Sequence, residues 1–449
     1  MISTHLLTPI LLGLSVMFTA CDRPFREVGQ ATVEIVSPDV SEAQDRDRID
    51  LELRVTSVRS VTSVRSGIVA FSPTGATDIW KASLDLDPGL NRFLIETAVD
   101  DGPVSIDTVD VLRISWSVES KTNERWLLSG VGSHSATRLQ DGSLVLIGGS
   151  VVPGGSGGFD AWTLPPGGSR FMPALTQSVA PRVGHTATLL PDGRILLLGG
   201  GQSGNVDSVN DLIEIAEVYD PATESFTEVP VSGSPIRRMY HTALLRVVGN
   251  ATYVVLLGGR GDTQYTPAPA LGIRQDMRTF EWRNDALVAL SPAVGPFIRS
   301  VAGHSQQPLD PAPAGMSSEY LVSGMDFEND YAGVSLTMDF DAPAGIDVLD
   351  AGPILTPRIR HAAVSPAPGV VVLFGGRPIE GDAPLQSGEI FIHEANRYFR
   401  FPAGLEAAIP AAYGHTATLM ADGRILLVGG FDADGQSLNT VDFVSLGLD

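Results

Sequence analysis

The chain has 449 residues, one cysteine, 48 glycines and 31 prolines, and a formal charge of −22 at pH 7. That length accommodates more than one domain, and so many glycines and prolines beside 43% hydrophobic residues point to a turn-rich all-β protein. The charge excludes nucleic acid as a main partner, since affinity for it rests on lysine and arginine neutralising phosphates.

The first element is an apolar run, "LLTPILLGLSVMFTA" at 6–20, too short for a transmembrane helix and ending in small residues, as a signal peptide over 1–20 does. It meets Cys21, the only cysteine. "FTAC" resembles the bacterial lipobox, in which the cysteine is acylated and becomes the mature N-terminus. The resemblance implies a lipid anchor at Cys21, a linker over 21–30, and a lipoprotein of the bacterial cell envelope, periplasmic or on the outer-membrane surface. An ordinary signal peptide followed by an incidental cysteine is the alternative. With no second cysteine there is no disulfide, so stability must come from burial.

Next, "ATVEIVSPDV", "RIDLELRVTSV", "SGIVAFSP", "NRFLIETAV" and "DVLRISWSV" read as short strands at regular spacing, which predicts an immunoglobulin-like β-sandwich over 31–118. Within it "VTSVRS" occurs twice in tandem, at 55–60 and 61–66. An even insertion absorbed by one strand would leave every side chain on its original face.

From 124 to the end the chain repeats itself. "GHTATLLPDGRILLLGG" (184–200) and "GHTATLMADGRILLVGG" (414–430) agree at 14 of 17 positions. Weaker copies begin at "SHSATRL", "YHTALL", "GHSQQPL" and "RHAAVS". The anchor histidines His134, His185, His241, His304, His361 and His415 are 51, 56, 63, 57 and 54 residues apart. A period of tens of residues decides the architecture before any single residue does. Each copy offers a hairpin signal, as at Asp192-Gly193, and a second strand ending in paired glycines (Gly148 and Gly149, Gly199 and Gly200, Gly258 and Gly259, Gly375 and Gly376, Gly429 and Gly430). A third and a fourth strand follow, as in "AEVYDPATESFTEV", giving four antiparallel strands per copy.

Glycine pairs followed by an aromatic and a second aromatic (Tyr219 and Phe226, Phe391 and Tyr398) resemble the kelch repeat. The resemblance implies a kelch-type β-propeller. The last copy lacks a fourth strand while "ERWLLSG" (124–130) precedes the first histidine, so the expectation is a six-bladed propeller over 124–449, closed by both ends, with Trp126 packed beside Phe443.

In such a blade each histidine shares a face with the long loop between the second and third strands, which predicts a binding face there. Arg182, Arg238 and Arg358, three residues before their histidines, are candidate ligand-binding residues for carboxylate or sulfate groups of an acidic polysaccharide. The competing reading pairs each with an acid or carbonyl of a neighbouring blade. The histidines are expected to make structural hydrogen bonds, because equivalents spread around a ring do not converge on a metal. No metal or other cofactor is expected. Acidic stretches such as "DADG" (432–435) supply oxygens of the kind calcium takes without the spacing of a calcium loop. A copper radical oxidase like galactose oxidase needs a cysteine-linked tyrosine. Tyr240-His241 resembles its Tyr-His pair, but the one cysteine lies in the leader. The resulting expectation is a non-catalytic lipoprotein, tethered to the membrane by its lipid anchor, whose propeller binds a protein or polysaccharide. The alternative is a carbohydrate-active hydrolase using a pair of loop carboxylates.

Overall fold

A computed structural model of the protein describes residues 31–448 apart from 77, 122–125, 128, 159, 234, 263–270, 291–298, 300, 311–316, 328–330, 342–345, 380 and 381. Residues 1–30, with the expected signal peptide, Cys21 and the expected linker, lie outside the described residues. The chain is all-β and divides into two compact units, one built from residues up to 38 with 50–84 and 93–109, the other from 39–49, 85–92 and 110–449.

The smaller unit contains two four-stranded sheets. In the strand Arg48–Thr56 alternate residues are buried, Ile49, Leu51, Leu53 and Val55 pointing inward, as in a sheet with one wet face. The tandem "VTSVRS" is not absorbed by one strand. Val55 and Thr56 end one strand, 57–60 make the connection, and the second copy forms Val61–Ser66 in the other sheet. The insertion therefore supplies a turn and a new strand rather than lengthening an old one.

In the larger unit five of the histidine-anchored copies form four-stranded sheets, and the copy at His241 forms a four-stranded sheet to which the short strand Val231–Ser232 is added as a fifth. The second, Thr186–Leu189, Ile195–Leu198, Ala216–Asp220 and Ser225–Val229, shows why the sequence reads as it does. All four residues of Ile195–Leu198 are buried. Ile195 and Leu197 pack on Val145 and Ile147 of the first sheet, while Leu196 and Leu198 pack on Val254 and Leu256 of the third. A strand covered on both faces has no polar side, hence continuous apolar runs instead of alternation. Tyr219 and Phe226 sit opposite each other across the third and fourth strands, ring centroids 4.8 Å apart, and Phe391 and Tyr398 repeat this at 4.9 Å.

The Asp-Gly turns differ in one respect from the expectation. Only the glycine has positive φ, 91° at Gly193, while Asp192 accepts the Arg194 N–H at 3.1 Å. The loop is thus a type I turn completed by a left-handed glycine rather than the two-residue form.

The same interface recurs between successive sheets, including the last and the first, where Leu426, Val428, Val441 and Phe443 pack on Leu144, Leu146 and Leu164. The strand completing the last sheet is Ser115–Ser120, paired with Val441–Gly447, in the place expected for 124–130. This strand was assigned above to the sandwich. Its alternation fits either place, and only the hydrogen-bonding register reveals the partner. Trp126 nevertheless packs edge-on against Phe443, at 5.6 Å between ring centroids, as expected.

Candidate functional site

The residue before each repeat histidine fixes the centre of the larger unit. The backbone N–H of Ser133 donates to the carbonyl of Gly414, Gly414 to Arg360, Arg360 to Gly303, Gly303 to Tyr240, Tyr240 to Gly184 and Gly184 back to Ser133, at 2.6–3.1 Å. Those bonds form a closed circuit. All six residues have φ between 53° and 67°. Three are glycines, for which this conformation costs little. Ser133, Tyr240 and Arg360 adopt it with side chains, at 55°, 53° and 54°, a strain of about 1–3 kcal/mol each that persists where the side chain is needed.

Those three side chains meet. Arg360 Nη2 donates to Ser133 Oγ at 2.5 Å, and the guanidinium lies 4.7 Å from the Tyr240 ring centroid and 4.9 Å from that of Tyr413. Arg377 covers Tyr413 in turn at 4.1 Å. A Cβ at Gly303 would come within 3.2 Å of Arg360 Cγ, so the glycine makes room for the arginine. Tyr240 Oη is buried and has no hydrogen-bond partner among the described residues. Two cavities adjoin the group. One, of about 140 Å³, is ringed by the six histidines and the six residues before them. The other, of about 230 Å³, is lined by Asn205, Tyr240, Arg260, Phe327 and Arg360. On a chain carrying −22 this is a cationic, aromatic opening, chemistry suited to a carboxylate beside a ring or a sugar face.

The histidines hold the sheets together. Nε2 of His134, His185, His241, His304 and His361 lies 2.8–3.1 Å from the hydroxyl of Thr416, Ser135, Thr186, Thr242 and Ser305, each on the first strand of the preceding sheet. At the position equivalent to those hydroxyls, the copy preceding His415 has Ala362. Every Nδ1 is buried without a partner among the described residues, so the bare lone pair belongs there and Nε2–H donates to the hydroxyl oxygen. Burial pushes His134, His185 and His304 down to about 3 and His415 to about 4, and holds His241 and His361 well below the ordinary value. Among the described residues no cluster of three or more histidine, cysteine or acidic side chains could hold a metal.

The candidate arginines have another place. Arg182 is fully buried and bonds Glu217 through Nη2 at 2.7 Å, Gly199 O at 2.8 Å and Ile215 O at 2.9 Å. Arg238 bonds Asp276 at 3.0 Å and Gly258 O at 3.1 Å, and Arg358 bonds Glu389 at 2.6 Å and Gly375 O at 2.8 Å. These three satisfy backbone carbonyls at the paired glycines and are closed to a ligand. The arginine that lines both cavities is instead Arg360, two residues beyond Arg358. One sequence signal marks it: where three copies write Gly-His, the others write Ser-His, Tyr-His and Arg-His.

No protein-family model matches the chain, and no curated protein does. Among solved structures it is similar to YjhT, a kelch-type propeller, with TM-score 0.51, 11% identity, and coverage of 71% of this chain and 97% of that one. The fold is kelch-like. A fungal alcohol oxidase of the AA5 family, solved with copper, aligns at TM-score 0.46 and 14% identity over 93% of this chain and 76% of its own. At 11% identity the likeness to YjhT concerns the fold alone, and no chemistry is thereby transferred.

Proposed function

We propose that the chain is a six-bladed kelch-type propeller, preceded by a small immunoglobulin-like sandwich and lipid-anchored at Cys21 in a bacterial envelope, that binds an acidic glycan at the mouth of its axis without turning it over. The observation that carries this is the set Ser133, Tyr240 and Arg360, held in a left-handed backbone where the other copies use glycine. Arg360 and Arg260 supply charge for a carboxylate, Tyr240 Oη an unused hydrogen-bonding group, and Phe327 an apolar wall. The six copies and the closed circuit of backbone bonds support the blade count.

Retention on a panel of uronate-containing and neutral oligosaccharides tests the reading. Wild type should retain the uronates, and Arg360→Gln should lose them while melting as wild type does. Retention of neutral glycans alone would refute it. Metabolic labelling with a palmitate analogue tests the anchor, with label expected on wild type and none on Cys21→Ser.

One observation favours a second, hydrolytic reading. Asp326 and Asp350 line one cavity of about 200 Å³, with Arg299 between them at 3.7 and 3.3 Å. Cleavage of any panel glycoside, lost in Asp326→Asn, would establish it.

A further inference from the structure

The larger unit seats a guanidinium beneath the paired glycines three times and leaves the seat open at the first sheet. In the second, third and fifth sheets the arginine three residues before the histidine bonds the carbonyl of the first glycine and a nearby acid. In the third sheet that acid is Asp276, whose own carbonyl accepts the Gly258 N–H at 3.2 Å. The counterpart in the first sheet is Asp160, whose carbonyl accepts the Gly148 N–H at 3.0 Å. The acid is retained, but three residues before His134 the chain has Val131. Opposite Leu146 it has Trp162, where the second and fifth sheets place Glu217 opposite Leu197 and Glu389 opposite Leu373.

What remains is a cavity of about 150 Å³ lined by Leu127, Val131, Gly148, Asp160 and Trp162. The Asp160 carboxylate accepts from a neutral donor, Gln177 Nε2 at 2.8 Å, and no cation pairs with it among the described residues. His134, on the same wall, is kept neutral by burial and brings no competing charge.

We propose that this cavity is a socket for the guanidinium of an arginine side chain carried by a partner polypeptide. Asp160 supplies the countercharge, Trp162 a π face for the cation, and the glycine backbone the carbonyl that the resident arginines use elsewhere. The formal charge of −22 draws a basic partner towards it. The socket shares only His134 with the axial cavities and does not depend on what they bind.

Isothermal titration of the full chain with the peptide Gly-Gly-Arg-Gly-Gly, and with the same peptide carrying citrulline, tests it. The arginine peptide should bind at least about tenfold more tightly than its neutral isostere, a difference of about 1.4 kcal/mol. Asp160→Asn should lose that advantage with an unchanged melting temperature. Val131→Arg, which supplies the missing guanidinium from within, should abolish peptide binding in the folded protein. Equal binding of the two peptides, no binding of either, or an unaffected Asp160→Asn overturns the proposal. Binding of N-acetylarginine amide without binding of the peptide would overturn the polypeptide source in favour of a free small molecule.

Discussion

Six buried neutral histidines make the larger unit sensitive to mild acid. An unfolded imidazole takes up a proton as the pH falls below about 6.5, whereas the folded ones resist until about 3 or 4 where a value is assigned, and His241 and His361 lie well below 6.5. The unfolded state therefore binds more protons throughout that window, and stability present above 6.5 is lost as the pH falls through it. At pH 5.5 each histidine removes on the order of 1 kcal/mol and the six together several kcal/mol, a figure set by the unfolded value alone once the folded value lies below about 4.5. That is comparable to the whole stability of a typical domain, about 5–15 kcal/mol. Urea unfolding at pH 7.5, 6.5 and 5.5 and constant ionic strength, followed by tryptophan fluorescence, should show the midpoint falling steeply. His185→Gln, which keeps an amide N–H for Ser135, should reduce the fall by about a sixth. A urea midpoint that does not move between pH 7.5 and 5.5 would refute the reasoning.

Arg182→Met alone should cost about 3–5 kcal/mol by leaving Glu217 buried without its cation, whereas Arg182→Met with Glu217→Leu should recover most of that loss, as compared by denaturant titration. Removing residues 441–447 strips the partner of Ser115–Ser120, so thermal unfolding should show the larger unit lost as a whole rather than frayed locally. Trp126→Ala, at a ring only 7% exposed, should cost about 3–5 kcal/mol in the same titration.

The repeat was legible because its parts are local. An Asp-Gly turn, two apolar strands and a glycine pair each act over a few residues, so their recurrence gave the sheets and the face on which the histidines lie. Closure was not legible, because Ser115–Ser120 and 124–130 are both short β-prone segments and the choice depends on a partner more than 300 residues away. The arginines misled for a related reason. Their spacing from the histidines was regular, but their partners Glu217, Asp276 and Glu389 lie in or just before the third strand of the sheet at varying distances along the chain, so burial was invisible. Conversely, Ser133, Tyr240 and Arg360 stood in plain sight as exceptions to Gly-His, and their meaning required knowing that this position is left-handed and faces the axis.

The most direct test of the axial site is a crystal structure of the protein soaked with D-galacturonate. The account expects its carboxylate within about 3 Å of the Arg360 guanidinium, in the cavity bounded by Tyr240, Arg260 and Phe327, with a ligand oxygen on Tyr240 Oη. Galacturonate bound elsewhere on the loop face, with that cavity holding only solvent, would contradict it.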